Sequence, residues 1–348
     1  MGLGRCGAWG WRQTARHLSA LHGGERDKFQ HKLINGTQIA LETRRAVKKR
    51  VERLRESGWA PKLVSVVFKE PGAEEDSAIA WYVRNQRRVA KKCGIEFEEM
   101  SVSSTVSSAE FVQLLQDTNQ DPRVTGVVMQ RPFPSHLSTD DIQMAIHPLK
   151  DVEGMHPTSI GHVVYNEPYL VPCTAKAAVA CLKNSGLATG PEKSLKGLSC
   201  VVVGHSEVVG KPISFLLMNE KAIVTTCHHM TRDLSMHTRK ADAVIVAVGK
   251  VGLITGDMLK PGAVLIDVGI NPVKDSDTGE ETIVGDAELE SCLPVVGWAT
   301  PVPGGVGPVT TAVLMENTAR AAEAQKNHYE SVFGPDHVST NSYMYSLK

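Results

Sequence analysis

The chain has 348 residues, 42% hydrophobic, 22% charged and 5% aromatic, enough for two domains and a sizeable core. Basic and acidic residues number 38 each, so global charge gives no argument for a nucleic-acid or membrane partner. Seven scattered cysteines (Cys6, Cys93, Cys173, Cys181, Cys200, Cys227, Cys292), with no C-x-x-C pair, read as reduced thiols with no structural metal. The longest apolar runs, such as "AVIVAVG" (243–249), are far too short for a bilayer span.

In chain order, the first 24 residues carry Arg5, Arg12, Arg16, His17 and His22 and no acid before Glu25. Trp9, Trp11, Leu18 and Leu21 can share one apolar helical side. This composition is that of a mitochondrial presequence, expected over 1–28; without that role, the chain is cytoplasmic. "NGTQIALETRRAVKKRVERLRE" (35–56) has helical apolar spacing with a basic outer face, and "KLVSVVF" (62–68) reads as a buried strand. "SAIAWYVRNQRRVAKKCG" (77–94) is a helix closed by Gly94; "EFVQLLQDTN" is another, followed by the strand "VTGVVMQ" (124–130) and the loop "RPFPSH". This alternation predicts a parallel α/β layer.

A second alternating unit begins near 197: strand "GLSCVVVG", helix "VVGKPISFLLMN", strand "AIVTTCHH", helix "TRDLSMHTRKA", then strands "DAVIVAVG" and "AVLIDVG". That is the rhythm of a doubly wound nucleotide-binding domain. Its first strand ends in "VVVGHSEVVGKP", with Gly204 at the strand end and Gly210 opening the helix. Ser206 stands where G-x-G-x-x-G has its middle glycine. A tight turn before a helix N-terminus suits an anion, although a plain strand-turn-helix fits this stretch alone equally well. The next strand ends in "TTCHHMTR", where NAD-binding sheets usually place a carboxylate. His228, His229 and Arg232 would instead tolerate a 2′-phosphate, which favours NADP over NAD, while two exposed loop histidines are the plainer reading.

In the first unit, Tyr82 and Gln86 share a helix face and Gln130 ends a strand. Asp151, Glu153 and His156 fall on the turn-rich "HPLKDVEGMHP". Taken singly, each is as well explained as a cap or a solvated charge. Toward the C-terminus, "TPVPGGVGPVTTAVL" (300–314) sets three prolines and glycines before an apolar helix.

The ordered set "YVRNQ", "VVMQRPFP", "KDVEG", "VVVGHSEVVGKP", "VTTCH", "LITGDMLKPGAVLIDVGIN", "IVGDAELE" and "TPVPGGVGPVTTAVLMENT" resembles the bifunctional methylenetetrahydrofolate dehydrogenase/cyclohydrolase family over roughly residues 33 to 325. The resemblance implies an α/β protein of two domains with a cleft between them. Residues 29–176 with 302–326 would form the folate-binding catalytic domain, 177–301 a Rossmann-like domain, and 327–348 a polar tail. It implies oxidation of 5,10-methylenetetrahydrofolate with NADP or NAD, then hydrolysis to 10-formyltetrahydrofolate, in a homodimer. Carried over by position, Tyr82, Gln86 and Gln130 are the catalytic set. Tyr82, Gln130, Glu153, Pro303, Gly304 and Gly305 bind folate. Thr174, Gly204, His205, Ser206, Val209 and Gly210 bind the cofactor, together with His228, His229 and Arg232. Gly249, Gly269, Ile270, Asn271 and Thr310 complete that set.

The chain also departs from the family pattern. Gln86 stands where the family has its catalytic lysine, and glutamine cannot titrate near neutrality. Glu153 replaces an aspartate, Arg131 an apolar residue, and "FKEPGAEEDSAIAW" lacks the usual glycine and small-polar run; Lys69 could approach the site from this stretch. The short "FLLMNEKAIVTT" lacks the insertion that accompanies magnesium in NAD-preferring relatives, so no metal is expected. The implied outcome is a dehydrogenase with impaired hydrolysis. The alternatives are a non-catalytic folate- or nucleotide-binding paralogue with a regulatory or interaction role and, more remotely, an unrelated NADP dehydrogenase on the same architecture.

Overall fold

The computed structural model describes residues 26–70, 78–274 and 281–334. Most of the expected presequence, the irregular stretch 71–77 and the end of the expected tail lie outside them. The described chain forms two compact units, one running to Ala40 and resuming over Thr174–Thr310, the other comprising Leu41–Cys173 and the chain from Thr311. Val302–Thr310 therefore belongs to the unit that contains the second alternating segment.

Helix α1 (Gly36–Glu56), which enters the second-named unit at Leu41, leads there to strand β1 (Lys62–Lys69), then α2 (Ala78–Cys93), β2 (Glu96–Ser103), α3 (Ser108–Gln120) and β3 (Gly126–Met129). Short helices α4 (Thr139–Ala145) and α5 (Pro157–Val164) follow. The three strands pair in parallel in the order β2-β1-β3. Central β1 is buried on both faces, which explains its continuous valine run. Edge strand β2 is not an expected element. Its "EFEEMSVS" has no apolar alternation, because its outward carboxylates meet neighbouring cations: Glu98 pairs with Lys62, and Glu99 with both Lys69 and Arg87. Lys69 is thereby committed to a surface pair. Phe111, fully buried, packs with Leu115 and Ile142 against the sheet, its ring centroid 5.1 Å from that of Phe68.

The other unit contains α6 (Cys173–Lys183), β4 (Ser199–Val203), α7 (Gly210–Asn219), β5 (Ile223–Cys227), α8 (Leu234–Thr238), β6 (Ala243–Val246) and β7 (Val264–Asp267). A hairpin of β8 (Asn271–Lys274) and β9 (Glu281–Val284), then α9 (Leu289–Cys292) and β10 (Trp298–Ala299), complete it. Five strands run parallel in the order β10-β7-β6-β4-β5. The expected helix over 231–241 shortens to α8, because the Asp233 side chain accepts the Met236 N–H at 3.1 Å and starts the helix there.

Helix α10 (Val306–Phe333) ends the described chain. It continues through Asn327–Phe333, residues expected to belong to a polar tail. The reason is packing: the Tyr329 ring lies 5.9 Å from Trp59 and 4.7 Å from Phe333, and Leu54, Trp59 and Ala322 form a small buried cluster beneath it. Before this helix, glycines serve close backbone approach. A Cβ on Gly36 would fall 1.7 Å from the Gly305 carbonyl oxygen, so "PGG" closes against the start of α1.

Candidate active site

Two groups of site residues assemble, one in each unit. In the three-stranded unit, β1 is flanked by β2 and β3, so its carboxyl end is a topological switch point. Gln130 follows β3 there, its N–H extending the ladder to Val66 O at 2.9 Å. The Gln130 Nε2 donates to Ser65 Oγ at 3.0 Å and to Gln86 Oε1 at 3.1 Å. Gln86 is 1% exposed, Gln130 6% and Ser65 0%. A strand serine, a strand-end amide and a helix amide thus form one buried, hydrogen-bonded row, with no member that titrates near neutrality.

One turn earlier on α2, Tyr82 stands beside this row. Burial pushes its phenol up to about 12; Cys173 and Glu153 add to the shift, and polar contact with Gln86 and Thr311 opposes it. The buried Thr311 Oγ1 has no partner of good hydrogen-bond geometry among the described residues. That orphaned hydroxyl beside a tyrosine fits a ligand with its own polar edge.

Glu153 reaches this group from the loop after a parallel bridge between Val127 and Asp151. Burial raises its carboxyl to about 7; Arg131 and the Met129 backbone oppose the shift, and Asp151 reinforces it. Asp151 has a different role. Its carboxylate accepts from Gly154 N at 3.1 Å, His156 N at 2.8 Å and Ser159 Oγ at 2.8 Å, and so builds the loop that presents Glu153. His156 caps α5 through Nδ1, which accepts from Thr158 N at 3.0 Å. Arg131 is exposed and stacks 4.6 Å from the Phe133 ring.

In the five-stranded unit, β4 is flanked by β5 and β6, so the strand order reverses at its carboxyl end. Gly204 has φ 114°, and a Cβ there would sit 2.2 Å from Ala247 O. Only glycine permits this turn between strand and helix. Val209 starts α7 without a side-chain cap, and no acid stands in the first turn, leaving a helix end suited to a phosphate. Ser206 O accepts Lys211 N at 3.0 Å, which fixes the loop.

His205 follows β4, and His228 and His229 follow β5. Their ring centroids lie 4.8 Å (His205–His228), 6.2 Å (His205–His229) and 5.8 Å (His228–His229) apart, and all three are exposed. Among the described residues, no group of histidine, cysteine and carboxylate side chains is placed to hold a metal ion. The Nδ1 of His228 accepts the Met230 N–H at 3.1 Å, so the neutral ring carries its proton on Nε2. Arg232 is exposed just beyond.

The loops after β6 and β7 are organised by two buried aspartates. Asp286 accepts from Val248 N (2.7 Å), Gly249 N (3.0 Å), Lys250 N (2.9 Å) and Asn271 Nδ2 (2.9 Å). Asp267 accepts from Gly269 N (2.9 Å), Asp286 N (3.0 Å) and Ala287 N (2.8 Å). The Asn271 amide is therefore committed to the scaffold, while Ile270 beside it is 63% exposed. Thr174 and Val209 are half-buried, and Thr310 Oγ1 bonds back to Val306 O at 3.2 Å. Pro303, Gly304 and Gly305 belong to this unit, not to the one that holds Tyr82. Sequence patterning missed Asp267, Asp286, Ser65 and Thr311; the first two lie within the quoted "DVGIN" and "IVGDAELE", which was the available signal.

Residues 34–153 match the model of the tetrahydrofolate dehydrogenase/cyclohydrolase catalytic domain, and 172–326 that of its NAD(P)-binding domain. Bifunctional protein FolD 2 of Mesorhizobium japonicum is 49% identical over 301 residues, covering 86% of this chain and 94% of its own. The Campylobacter jejuni bifunctional FolD structure superposes with a TM-score of 0.76 at 33% identity, covering 84% of this chain and 98% of its own. The Trypanosoma brucei methylenetetrahydrofolate dehydrogenase-cyclohydrolase, solved with NADP and an inhibitor, gives 0.76 at 31% identity, covering 84% and 97%.

Proposed function

The chain belongs to the tetrahydrofolate dehydrogenase/cyclohydrolase family, and from that premise we propose that it oxidises 5,10-methylenetetrahydrofolate to the methenyl compound and hydrolyses that product slowly. The observation that carries this reading is the buried Ser65–Gln130–Gln86 row beside Tyr82. It orients a substrate but offers no titrating group at position 86. When bound, the nicotinamide ring supplies a hydride acceptor for the methylene carbon. The protein's share in that step is orientation, which Tyr82, Thr311 and the strand-end loops can provide without proton transfer. Adding water to the methenyl carbon, by contrast, requires a proton to move. Reduction of NADP or NAD by 5,10-methylenetetrahydrofolate on the purified chain tests the reading, and no reduction despite folate binding would support the non-catalytic paralogue instead.

The cofactor reading favours NADP. Its support is the histidine cluster, with Arg232, at the ends of β4 and β5, where a carboxylate would repel a 2′-phosphate. An imidazole N–H can donate to a phosphate oxygen, which a carboxylate cannot do. The ratio of kcat/KM for NADP over NAD should therefore exceed one. NAD preference at every pH would overturn this choice.

The basic, acid-free start of the chain supports mitochondrial targeting, and apolar Ile223, 63% exposed on edge strand β5, supports a homodimer. Sedimentation of the expressed protein and import into isolated mitochondria check these; a monomer, or a chain neither imported nor cleaved, would refute them.

A further inference from the structure

The turn that carries Glu153 is held by its main chain, and each of its carbonyls has its own donor. After the bridge between Val127 and Asp151, three residues short of Gln130, the chain turns, and Gly154 N–H donates to Asp151 O at 3.1 Å. Gly154 has φ 77°, and a Cβ there would lie 2.5 Å from both Val171 C and Pro172 N, so the turn sits directly against segment 171–173. Cys173 N–H donates to Glu153 O at 3.2 Å. Between these, Val152 O accepts from side chains, Asn317 Nδ2 at 2.9 Å and Cys173 Sγ at 3.4 Å. The same Asn317 Nδ2 donates to Val171 O at 2.8 Å. Asn317, on α10 and 0% exposed, thus uses both amide protons to tie the turn to the segment on which it rests. Its Oδ1 has no partner among the described residues, a cost accepted for holding two carbonyls. About two turns further along α10, Gln325 Nε2 makes a similar pair of bonds, to Thr125 O at 2.7 Å and Leu149 O at 3.0 Å, both ahead of the bridge.

We infer that Asn317 is a positioning residue for the folate substrate, fixing through Val152 O and Val171 O the turn that presents Glu153. This rests on the folate reading above, in which Glu153 holds the substrate. The side chain of Val152 is fully buried, and a Cβ on Gly126 would lie 2.3 Å from its Cγ1. Val152 is therefore fixed to the sheet by its side chain and to α10 by its carbonyl. Without the Asn317 amide, Val152 O keeps a weak S–H donor and Val171 O loses its side-chain donor. The peptide between Val152 and Glu153 is then free to rotate, which shifts the Glu153 carboxyl while the sheet stays in place. A shift of about 1 Å is enough to spoil the placing of a bound substrate. Gln325 lacks this leverage, because both of its acceptors precede the bridge that anchors Asp151.

The test is steady-state oxidation of 5,10-methylenetetrahydrofolate with NADP by wild type, Asn317→Leu, Asn317→Asp and Gln325→Leu, with kcat and the KM for each substrate taken separately. Asn317→Leu, similar in size but without a donor, should raise KM for the folate by about tenfold and leave KM for NADP within about twofold. Asn317→Asp should raise the folate KM less, because a buried carboxyl facing two carbonyls stays protonated and returns one O–H donor. It decides the matter if the leucine variant does not fold. Gln325→Leu should lower the Tm and move neither KM. A merely structural contact at 317 would behave like Gln325, lowering Tm or the active fraction with both KM values unmoved. An unmoved folate KM in the Asn317 variants, an equal rise for both substrates, or the same folate rise in Gln325→Leu would overturn the inference. Wild-type turnover in the same assay separates that result from failure of the folate reading, which would leave NADP unreduced by all four proteins.

Discussion

Gln86→Lys is expected to raise hydrolysis of the methenyl product, relative to oxidation, by about tenfold or more, given what general acid–base groups contribute. Gln86 is 1% exposed and accepts from Gln130 Nε2 at 3.1 Å. A lysine here would bring an ammonium into a desolvated pocket, which lowers its pKa toward neutrality and makes it able to exchange protons. Gln130 could accommodate the change by rotating its amide, so that the oxygen instead of the nitrogen faces position 86. Parallel assays of the two steps on wild type and variant check this. A ratio that stays the same or falls would mean that the amide at 86 is not what limits the second step.

Asp286→Ala should destabilise the protein by about 3–5 kcal/mol, since it strands four donors in a buried site. The carboxylate is 0% exposed, and both of its oxygens are occupied, by the three consecutive N–H groups of Val248, Gly249 and Lys250 and by the Asn271 amide. Asp286→Asn should also be costly, because its NH₂ would face backbone N–H groups. Loss of the carboxylate also frees the two loops that flank Gly249 and Asn271, so NADP affinity should fall along with stability. Urea unfolding read beside NADP titration checks both. A stability change below about 1 kcal/mol would show that water replaces the carboxylate well.

These two positions mark how differently the site could be read from sequence. Gln86 was legible through the family resemblance; its place one turn from Tyr82 on a patterned helix, and Gln130 at the end of a valine-rich strand, did not by themselves set these residues apart from a cap or a solvated side chain. Asp286 was not. Its partners lie 15 to 38 residues away along the chain, and nothing local distinguishes a scaffold carboxylate from a solvated one. Asp151 makes the same point from the other side: its sequence context suits a loop charge, and it is a buried organiser of the turn carrying Glu153.

For the fold, continuous apolar runs located β1, β4, β6 and β7 because central parallel strands are buried on both faces. Edge strand β2 and the β8–β9 hairpin were missed for the converse reason. Glu98 and Glu99 on β2, and Pro272 and Lys274 on β8, are the residues that edge positions tolerate. The end of α10 escaped notice because Tyr329 and Phe333 pack through contacts that the sequence does not disclose.

The most direct measurement is one progress curve with the purified chain, 5,10-methylenetetrahydrofolate and NADP, following reduced nicotinamide and the methenyl compound together. The expected curve has reduced nicotinamide forming steadily while the methenyl compound builds to a transient maximum, because oxidation outruns a hydrolysis that lacks a titrating group at 86. Absence of reduced nicotinamide, or its formation with no build-up of the methenyl compound, would contradict that division of labour.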